Sequence, residues 1–150
     1  MTEAAPKPIG VGADHAGFAL KEALKKALAS WNIPFEDLGT NDESSTDYPD
    51  YAHAVASGVA SGKFRLGLLV CGTGYGMSMA ANRHAGVRAA CCTEAFGARM
   101  ARQHNDANVL CIGSRIVGPS VAEDLLKSFL DAKFEGGRHS RRVAKIDGGA

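Results

Sequence analysis

Residues 66–71 read LGLLVC, an apolar run that leads directly into the glycine-rich segment GTGYG at residues 72–76. A strand with no polar alternation is typical of a parallel sheet that is covered on both faces. The glycines after it indicate a tight turn, and a helical pattern begins at about residue 74. This stretch therefore predicts a buried central strand, a close turn and a helix in an α/β fold.

The same alternation of a short apolar run and a helical pattern repeats along the chain. Strands are predicted over residues 9–13, 33–38, 66–71, 87–92 and 109–113, and helices over 17–31, 51–61, 74–82, 94–104, 119–132 and 138–146. Residues 40–49 are polar and contain Pro49, so we expect a loop there. The repeated βα pattern predicts a doubly wound, Rossmann-like or flavodoxin-like three-layer α/β sandwich around a five-stranded parallel sheet.

Length and composition limit the classes of function. The 150 residues suit one domain, 1–150, in which residues 1–8 form a loose N-terminal extension. The formal net charge of +1 argues against nucleic-acid binding, which needs a basic excess. The sequence shows neither a signal peptide nor an apolar run that could span a membrane, so we expect a cytoplasmic protein with no membrane partner.

Familiar motifs for nucleotides, phosphate and metals fail at specific positions. A dinucleotide fingerprint would place glycine at Met77, Met79 or His15, and a P-loop would place lysine at Phe18. A phosphatase loop that starts at Cys71 would place arginine at Met77. The five histidines show no H-x-x-x-H or H-E-x-x-H spacing, so we expect no metal and no cofactor.

Cys71 ends the central strand, at the edge where doubly wound folds bind ligands. The start of the following helix favours a thiolate, which can act as a general base, and the Thr73 hydroxyl and loop N–H groups can stabilise an oxyanion. These groups suit proton abstraction next to a carbonyl. The alternative is that Cys71 only fills the core, as we expect of Cys91, Cys92 and Cys111.

Candidate phosphate ligands lie near other predicted strand ends. Arg115 follows the fifth strand, and Asp14 and His15 follow the first, where Asp14 either orients the imidazole or caps a helix. Gly12 and Gly17 are expected where a substrate approaches.

A basic cluster lies near the C terminus. Arg138, His139, Arg141 and Arg142 follow two glycines, and arginine suits phosphate recognition. The alternative is a basic helix that simply faces water.

Five segments of the chain resemble type B ribose-5-phosphate isomerases, a family that also includes galactose-6-phosphate and allose-6-phosphate isomerases. The segments are GADHAGF (12–18), TDYPDYA (46–52), CGTGYGMS (71–78), RQHNDANVL (102–110) and EGGRHSRR (135–142). They occur in the family's order, and the resemblance extends from residue 9 to residue 146. It implies an aldose–ketose isomerase of the non-oxidative pentose phosphate pathway that acts without a metal or cofactor.

The resemblance also implies roles for individual residues. Cys71 resembles the base that moves a proton between C1 and C2 of ribose 5-phosphate through a cis-enediolate, and His104 the group that opens the furanose ring. Some members lack the cysteine and have a glutamate at the position of Met77, so this sequence resembles the cysteine branch. The substrate-contacting set implied by the family is Thr73, Gly72, Gly74 and Gly76 for the enediolate, Asp14, Tyr48 and Asn105 for the sugar, and His15, Arg115, Arg138 and Arg142 for the phosphate.

Family members form dimers and tetramers in which two subunits share a site. The resemblance thus implies a homodimer or homotetramer in which His104 or the C-terminal arginines reach the neighbour's Cys71 turn. Tyr75, between two loop glycines, either narrows the pocket or packs on the neighbouring chain. Two other functions stay open: a hexose-6-phosphate isomerase of the same family, and a sugar-phosphate-binding module without catalysis.

Overall fold

The computed structural model describes residues 3–148, in which five strands alternate with helices. Met1 and Thr2, part of the predicted extension, lie outside the described residues, and residues 3–8 form no helix or strand. The elements are β1 (Ile9–Ala13), α1 (Phe18–Ser30), β2 (Phe35–Asp37), α2 (Tyr48–Ala60), β3 (Leu66–Cys71), α3 (Tyr75–Ala81), β4 (Ala89–Cys91), α4 (Ala95–Asn105), β5 (Val109–Gly113), α5 (Pro119–Asp131) and α6 (Arg138–Ile146).

The strands form one parallel sheet in the order β2-β1-β3-β5-β4, which confirms the predicted doubly wound fold. Ala13 pairs with Val70 and Cys71 pairs with Gly113, so β1, β3 and β5 finish side by side. We call this end of the sheet the carboxyl edge and the opposite end the amino edge. The predicted site residues after these strands therefore share one edge.

The two faces of the sheet carry separate hydrophobic layers. Along β3, Leu68 and Val70 face a layer built with α1, α4 and α5, whereas Leu69 and Cys71 face a layer built with α2 and α3. Successive side chains of a strand point to opposite faces, so a strand between two helical layers needs an apolar residue at every position. This requirement explains why residues 66–71 contain no charged side chain. Among residues 3–148, no helix has both the length and the apolar character that crossing a membrane requires.

The structure corrects the predicted start of α2 and the lengths of the edge strands. Pro49 is the second residue of α2, where its missing N–H costs nothing, so the predicted loop ends before Tyr48. The strand predicted over 33–38 is shorter because the Ile33 N–H is bonded to Leu28 at the end of α1. The strand predicted over 87–92 is shorter because the Val87 N–H is bonded within a turn, to His84.

A buried lysine joins α1 to the edge strand β2. Lys21 has no exposed surface, and its Nζ donates to both carboxylate oxygens of Asp37, at 2.8 and 2.7 Å, and to the carbonyl of Thr40 at 2.7 Å. Lys25 donates to the same carboxylate at 2.7 Å, but its side chain is partly exposed. Hydrogen bonds from these lysines and from the Gly39 N–H outweigh burial and lower the pKa of Asp37.

We expect Lys21→Met to lower the free energy of unfolding by about 3 kcal/mol, because it removes the buried ammonium from the Asp37 carboxylate and leaves the buried Thr40 carbonyl without this donor. Urea unfolding followed by circular dichroism measures this loss. Lys25→Met is the matched control on the same carboxylate and should cost about 1 kcal/mol or less. Equal losses in the two variants would contradict the role given to the buried ammonium.

Candidate active site

A cavity of about 330 Å³ opens at the carboxyl edge between β1 and β3. These neighbouring strands lead into helices on opposite faces of the sheet, which creates the crevice where doubly wound folds bind ligands. The structure brings together eight of the residues predicted for the site. They are Asp14, His15, Tyr48, Cys71, Gly72, Thr73, Gly76 and Arg115, together with Ala16, which was not predicted.

The Cys71 sulfur lies at the start of a tightly folded turn. The Gly74 N–H donates a hydrogen bond to Cys71 Sγ at 3.1 Å, which fixes the sulfur within the turn. Gly74 has φ of +81°, and a Cβ atom there would lie 2.7 Å from Cys91 Sγ. Only glycine fits this position without strain. Gly74 is buried and does not line the cavity, so its contribution is the hydrogen bond to sulfur.

Thr73 is the exposed polar side chain of this turn. Its Oγ1 accepts a hydrogen bond from the Tyr75 N–H at 3.3 Å, so the hydroxyl proton is available to a ligand. Its carbonyl accepts the Cys91 thiol proton at 3.6 Å. Cys91 therefore contacts the turn, whereas Cys92 and Cys111 are buried in the two hydrophobic layers, as predicted.

The sulfur atoms outside the cavity are poorly suited to react. Burial raises the pKa of Cys92 to about 11 and that of Cys111 well above its ordinary value. Burial is the larger cause that raises the pKa of Cys91, and the nearby Cys71 is the smaller one. At neutral pH these three groups remain thiols, which are weak nucleophiles.

His15 and Asp14 occupy the turn after β1. The Thr46 N–H donates to His15 Nδ1 at 3.2 Å, so in the neutral ring the proton is on Nε2, the other nitrogen. Asp14 Oδ1 accepts from the Gly17 N–H at 3.0 Å. This bond closes the turn before α1, but α1 itself has no side-chain cap, so the predicted helix-capping role of Asp14 is not the one observed.

We predicted that Gly12 and Gly17 lie where a substrate approaches, and that prediction is wrong. A Cβ at Gly17 would lie 2.3 Å from the Val70 carbonyl oxygen, so glycine lets the start of α1 touch the backbone of β3. Gly12 is buried within β1, where a Cβ would meet Val55 at 3.1 Å. Both residues permit close packing between layers.

Tyr48 and Arg115 border the cavity. The Tyr48 ring lies over Gly76, where a Cβ would be 2.5 Å from the ring, so glycine lets the phenol reach across the pocket. Arg115 is exposed, and its backbone N–H donates to the Gly72 carbonyl at 3.0 Å. The guanidinium therefore stands beside the turn that holds Cys71.

The remaining predicted residues lie away from this cavity. His104 and Asn105 end α4, the helix that returns from the carboxyl edge to the amino edge before β5. Arg138 and Arg142 are exposed on α6, which packs against α4. The structure does not bring these four residues to Cys71 of the same chain.

His104 forms a compact group that we call the amino-edge cluster, His104, Glu135 and His139. The imidazoles of His104 and His139 stack with centroids 4.3 Å apart and planes inclined by 13°. Glu135 Oε2 lies 3.9 Å from His104 Nε2 and 3.6 Å from His139 Nε2. Desolvation and then the charge of Arg138 lower the pKa of His139. Sequence reasoning missed Glu135, although its spacing of four residues from His139 was a usable signal.

Comparison with known proteins assigns the family. The model of the family described as Ribose/Galactose Isomerase matches residues 9–146, nearly the whole chain. The chain belongs to the ribose/galactose isomerase family. Within this family, it is 47% identical over 140 residues to ribose-5-phosphate isomerase B of Escherichia coli K12, covering 93% of this chain and 94% of the relative.

Solved structures of ribose/galactose isomerases share the fold. Ribose-5-phosphate isomerase B of Clostridium thermocellum superposes with a TM-score of 0.93 at 46% identity, over 94% of this chain and 95% of the other. The enzyme of Mycoplasma genitalium, solved with bound ribulose-5-phosphate, gives 0.89 at 44% identity, over 93% of each chain. The predicted family resemblance and fold are thereby confirmed.

We expect iodoacetamide at mildly alkaline pH to label Cys71 about tenfold faster than Cys92 or Cys111, because Cys71 reaches the cavity and the other thiols are held protonated. Tandem mass spectrometry of peptides from timed samples gives the rate at each cysteine. The three other cysteines serve as internal controls. Faster labelling of any of them than of Cys71 would contradict the assignment of the reactive sulfur.

Proposed function

We propose that this ribose/galactose isomerase interconverts D-ribose 5-phosphate and D-ribulose 5-phosphate, with Cys71 as the general base. The observation that carries the proposal is the Cys71 sulfur at the cavity, hydrogen-bonded by the Gly74 N–H. The relatives named ribose-5-phosphate isomerase B, and the one solved with ribulose-5-phosphate, support the choice of substrate.

The proposed chemistry is a proton transfer between adjacent carbons. The Cys71 thiolate takes the proton from C2 of the open-chain aldose, and the electron pair moves into a cis-enediolate across C1 and C2. The resulting thiol returns the proton to C1, while one proton passes from O2 to O1, and the product is the ketose. The Thr73 hydroxyl proton and the turn's N–H groups stabilise the negative oxygen, because they are fixed before the charge develops.

Substrate binding follows from charge and position at the carboxyl edge. The His15 Nε2–H and the Arg115 guanidinium are donors suited to a phosphate group. Asp14 and Tyr48 offer a carboxylate and a phenol to sugar hydroxyls.

We infer that each complete site needs two chains. His104, Asn105, Arg138 and Arg142 lie toward the amino edge, and strands of five or six residues at about 3.3 Å each separate the edges by roughly 17–20 Å. No side chain spans that distance, so ring opening by His104 and phosphate binding by the arginines must act on a neighbour's Cys71.

Exposed apolar side chains support a homodimer or homotetramer. Tyr75 and Met79 lie four residues apart on α3 and are 54% and 71% exposed, and Phe96 near the start of α4 is 62% exposed. A two-fold interface that places the amino edge of one chain on the carboxyl edge of the other, with these side chains between the chains, would build two equal sites. Tyr75 then packs on the neighbouring chain.

We also propose that the chain is one domain that works in the cytoplasm without a cofactor. The reaction moves only protons, which the residues above can carry. The four free cysteines suit a reducing compartment.

Cys71→Ala should lower kcat for ribose 5-phosphate about 10³-fold with little change in KM, because it removes the base and leaves the binding groups in place. A coupled assay for ribulose 5-phosphate measures both constants, and Cys92→Ala is the control. Near-normal turnover by Cys71→Ala would overturn the mechanism. Faster turnover of allose 6-phosphate than of ribose 5-phosphate by the unmodified enzyme would favour the hexose alternative.

Cys71→Ala and His104→Asn should each be inactive alone, yet mixed dimers should regain about one quarter of normal activity, because half the dimers are hybrid and each has one intact site. Equal amounts of the two variants are unfolded together and refolded. The activity of the mixture is then compared with that of each variant refolded alone. Activity no greater than that of the separate variants would show that both residues act within one chain.

A further inference from the structure

The amino-edge cluster has the composition of a metal site. We propose that His104, Glu135 and His139 bind a divalent transition-metal ion of the Zn²⁺ type, at a site that within one chain is separate from the cavity that contains Cys71. Two histidines and one glutamate form a common ligand set for zinc, with water in the fourth position. The three ligand atoms come from α4, the 132–137 segment and α6, and all lie within 4.8 Å of one another.

His139 is the observation that points to a ligand. Its residue is only 6% exposed, and Nε2 is buried without a hydrogen-bond partner among residues 3–148. That nitrogen lies 3.6 Å from Glu135 Oε2, slightly beyond hydrogen-bond distance. A buried polar atom left without a partner costs free energy, and a cation between it and the carboxylate would satisfy both.

The backbone holds the second and third ligands near His139. The Glu135 N–H donates to the Gln103 carbonyl at 3.0 Å, which fastens the segment before α6 to the end of α4 beside His104. Gly136 and Gly137 both have positive φ, of +64° and +55°, so the chain turns sharply between Glu135 and His139.

The geometry requires a small adjustment on binding. Zinc takes its ligands at about 2.0–2.2 Å, so ligand atoms of a tetrahedral site lie roughly 3.4 Å apart. The observed separations from Glu135 Oε2 are 3.6 and 3.9 Å. His104 and Glu135 are more than a third exposed, so the His104 ring can tilt from its stack and the carboxylate can turn, while buried His139 stays fixed.

The ligand chemistry selects the class of ion. Imidazole nitrogens suit Zn²⁺, Co²⁺, Ni²⁺ and Cu²⁺, whereas Mg²⁺ and Ca²⁺ need more oxygen ligands than one carboxylate provides. Arg138 and Arg142 on the same helix add positive charge near the site, which disfavours an ion held by charge alone. Both facts favour a metal that bonds strongly to nitrogen.

A metal bound at the amino-edge cluster also affects catalysis, a conclusion that rests on the proposed function. A metal on His104 Nε2 occupies one nitrogen of the imidazole proposed to exchange a proton with the sugar ring, and it holds that imidazole within its own chain. The cluster is therefore an inhibitory site, in which the metal competes with ring opening in the neighbouring subunit.

Titration calorimetry with ZnCl₂ on the full chain, after chelator treatment, tests the binding. We expect one ion per chain, and Glu135→Gln and His104→Asn should each weaken binding about tenfold or more. His84→Gln is the control, because His53 and His84 form the other close histidine pair, with ring nitrogens 2.7 Å apart. Co²⁺ provides a second readout, and its visible spectrum should lack a thiolate charge-transfer band.

Three outcomes would overturn the site: no binding, unchanged binding by Glu135→Gln, or binding lost in Cys71→Ala or His84→Gln. Inhibition is measured separately, with each enzyme compared with its own rate in the presence of chelator. Zn²⁺ should slow the unmodified enzyme and leave Glu135→Gln at least tenfold less sensitive. A chain without isomerase activity would refute the proposed function and leave the calorimetric test of the metal site intact.

Discussion

Packing between the Cys71 turn and the end of β5 determines the candidate site. A Cβ at Gly113 would lie 2.6 Å from the Thr73 backbone, so the turn rests directly on the neighbouring strand. The Ser114 N–H donates to the Cys71 carbonyl at 2.8 Å, and the next N–H, of Arg115, donates to the Gly72 carbonyl. The backbone that carries the proposed base and the backbone that carries the neighbouring arginine are consequently held together by one set of hydrogen bonds.

The sequence was sufficient for the parts of the fold that are buried on both sides. The predicted bounds of β1, β3 and β5 match the structure, because each has a strand on either side and a helical layer on either face. The edge strands β2 and β4 are shorter than predicted. Their outer residues bond to the end of a helix or within a turn, and an apolar pattern cannot distinguish those partners from a strand.

The site residues also differ in how far the sequence could predict them. Residues after β1, β3 and β5 could be predicted to meet, because parallel strands end at a common edge whatever their order. The contact of Cys91 with the Cys71 turn depends on β4 lying beside β5 rather than beside β3, and local sequence does not fix that order. Glu135 meets His139 across a turn of two successive glycines with positive φ, and its N–H bond to the Gln103 carbonyl places it beside His104, contacts that only the folded backbone reveals.

The placement of His104 and Cys71 at opposite edges of one sheet has a kinetic consequence. On the proposed arrangement a lone chain contains two half-sites that cannot meet, so catalysis begins only after association. Below the dissociation constant of the dimer, the amount of assembled enzyme varies with the square of chain concentration. The rate of the reaction would then rise more steeply than in direct proportion to the amount of protein synthesised. Dilution alone would abolish the catalytic activity.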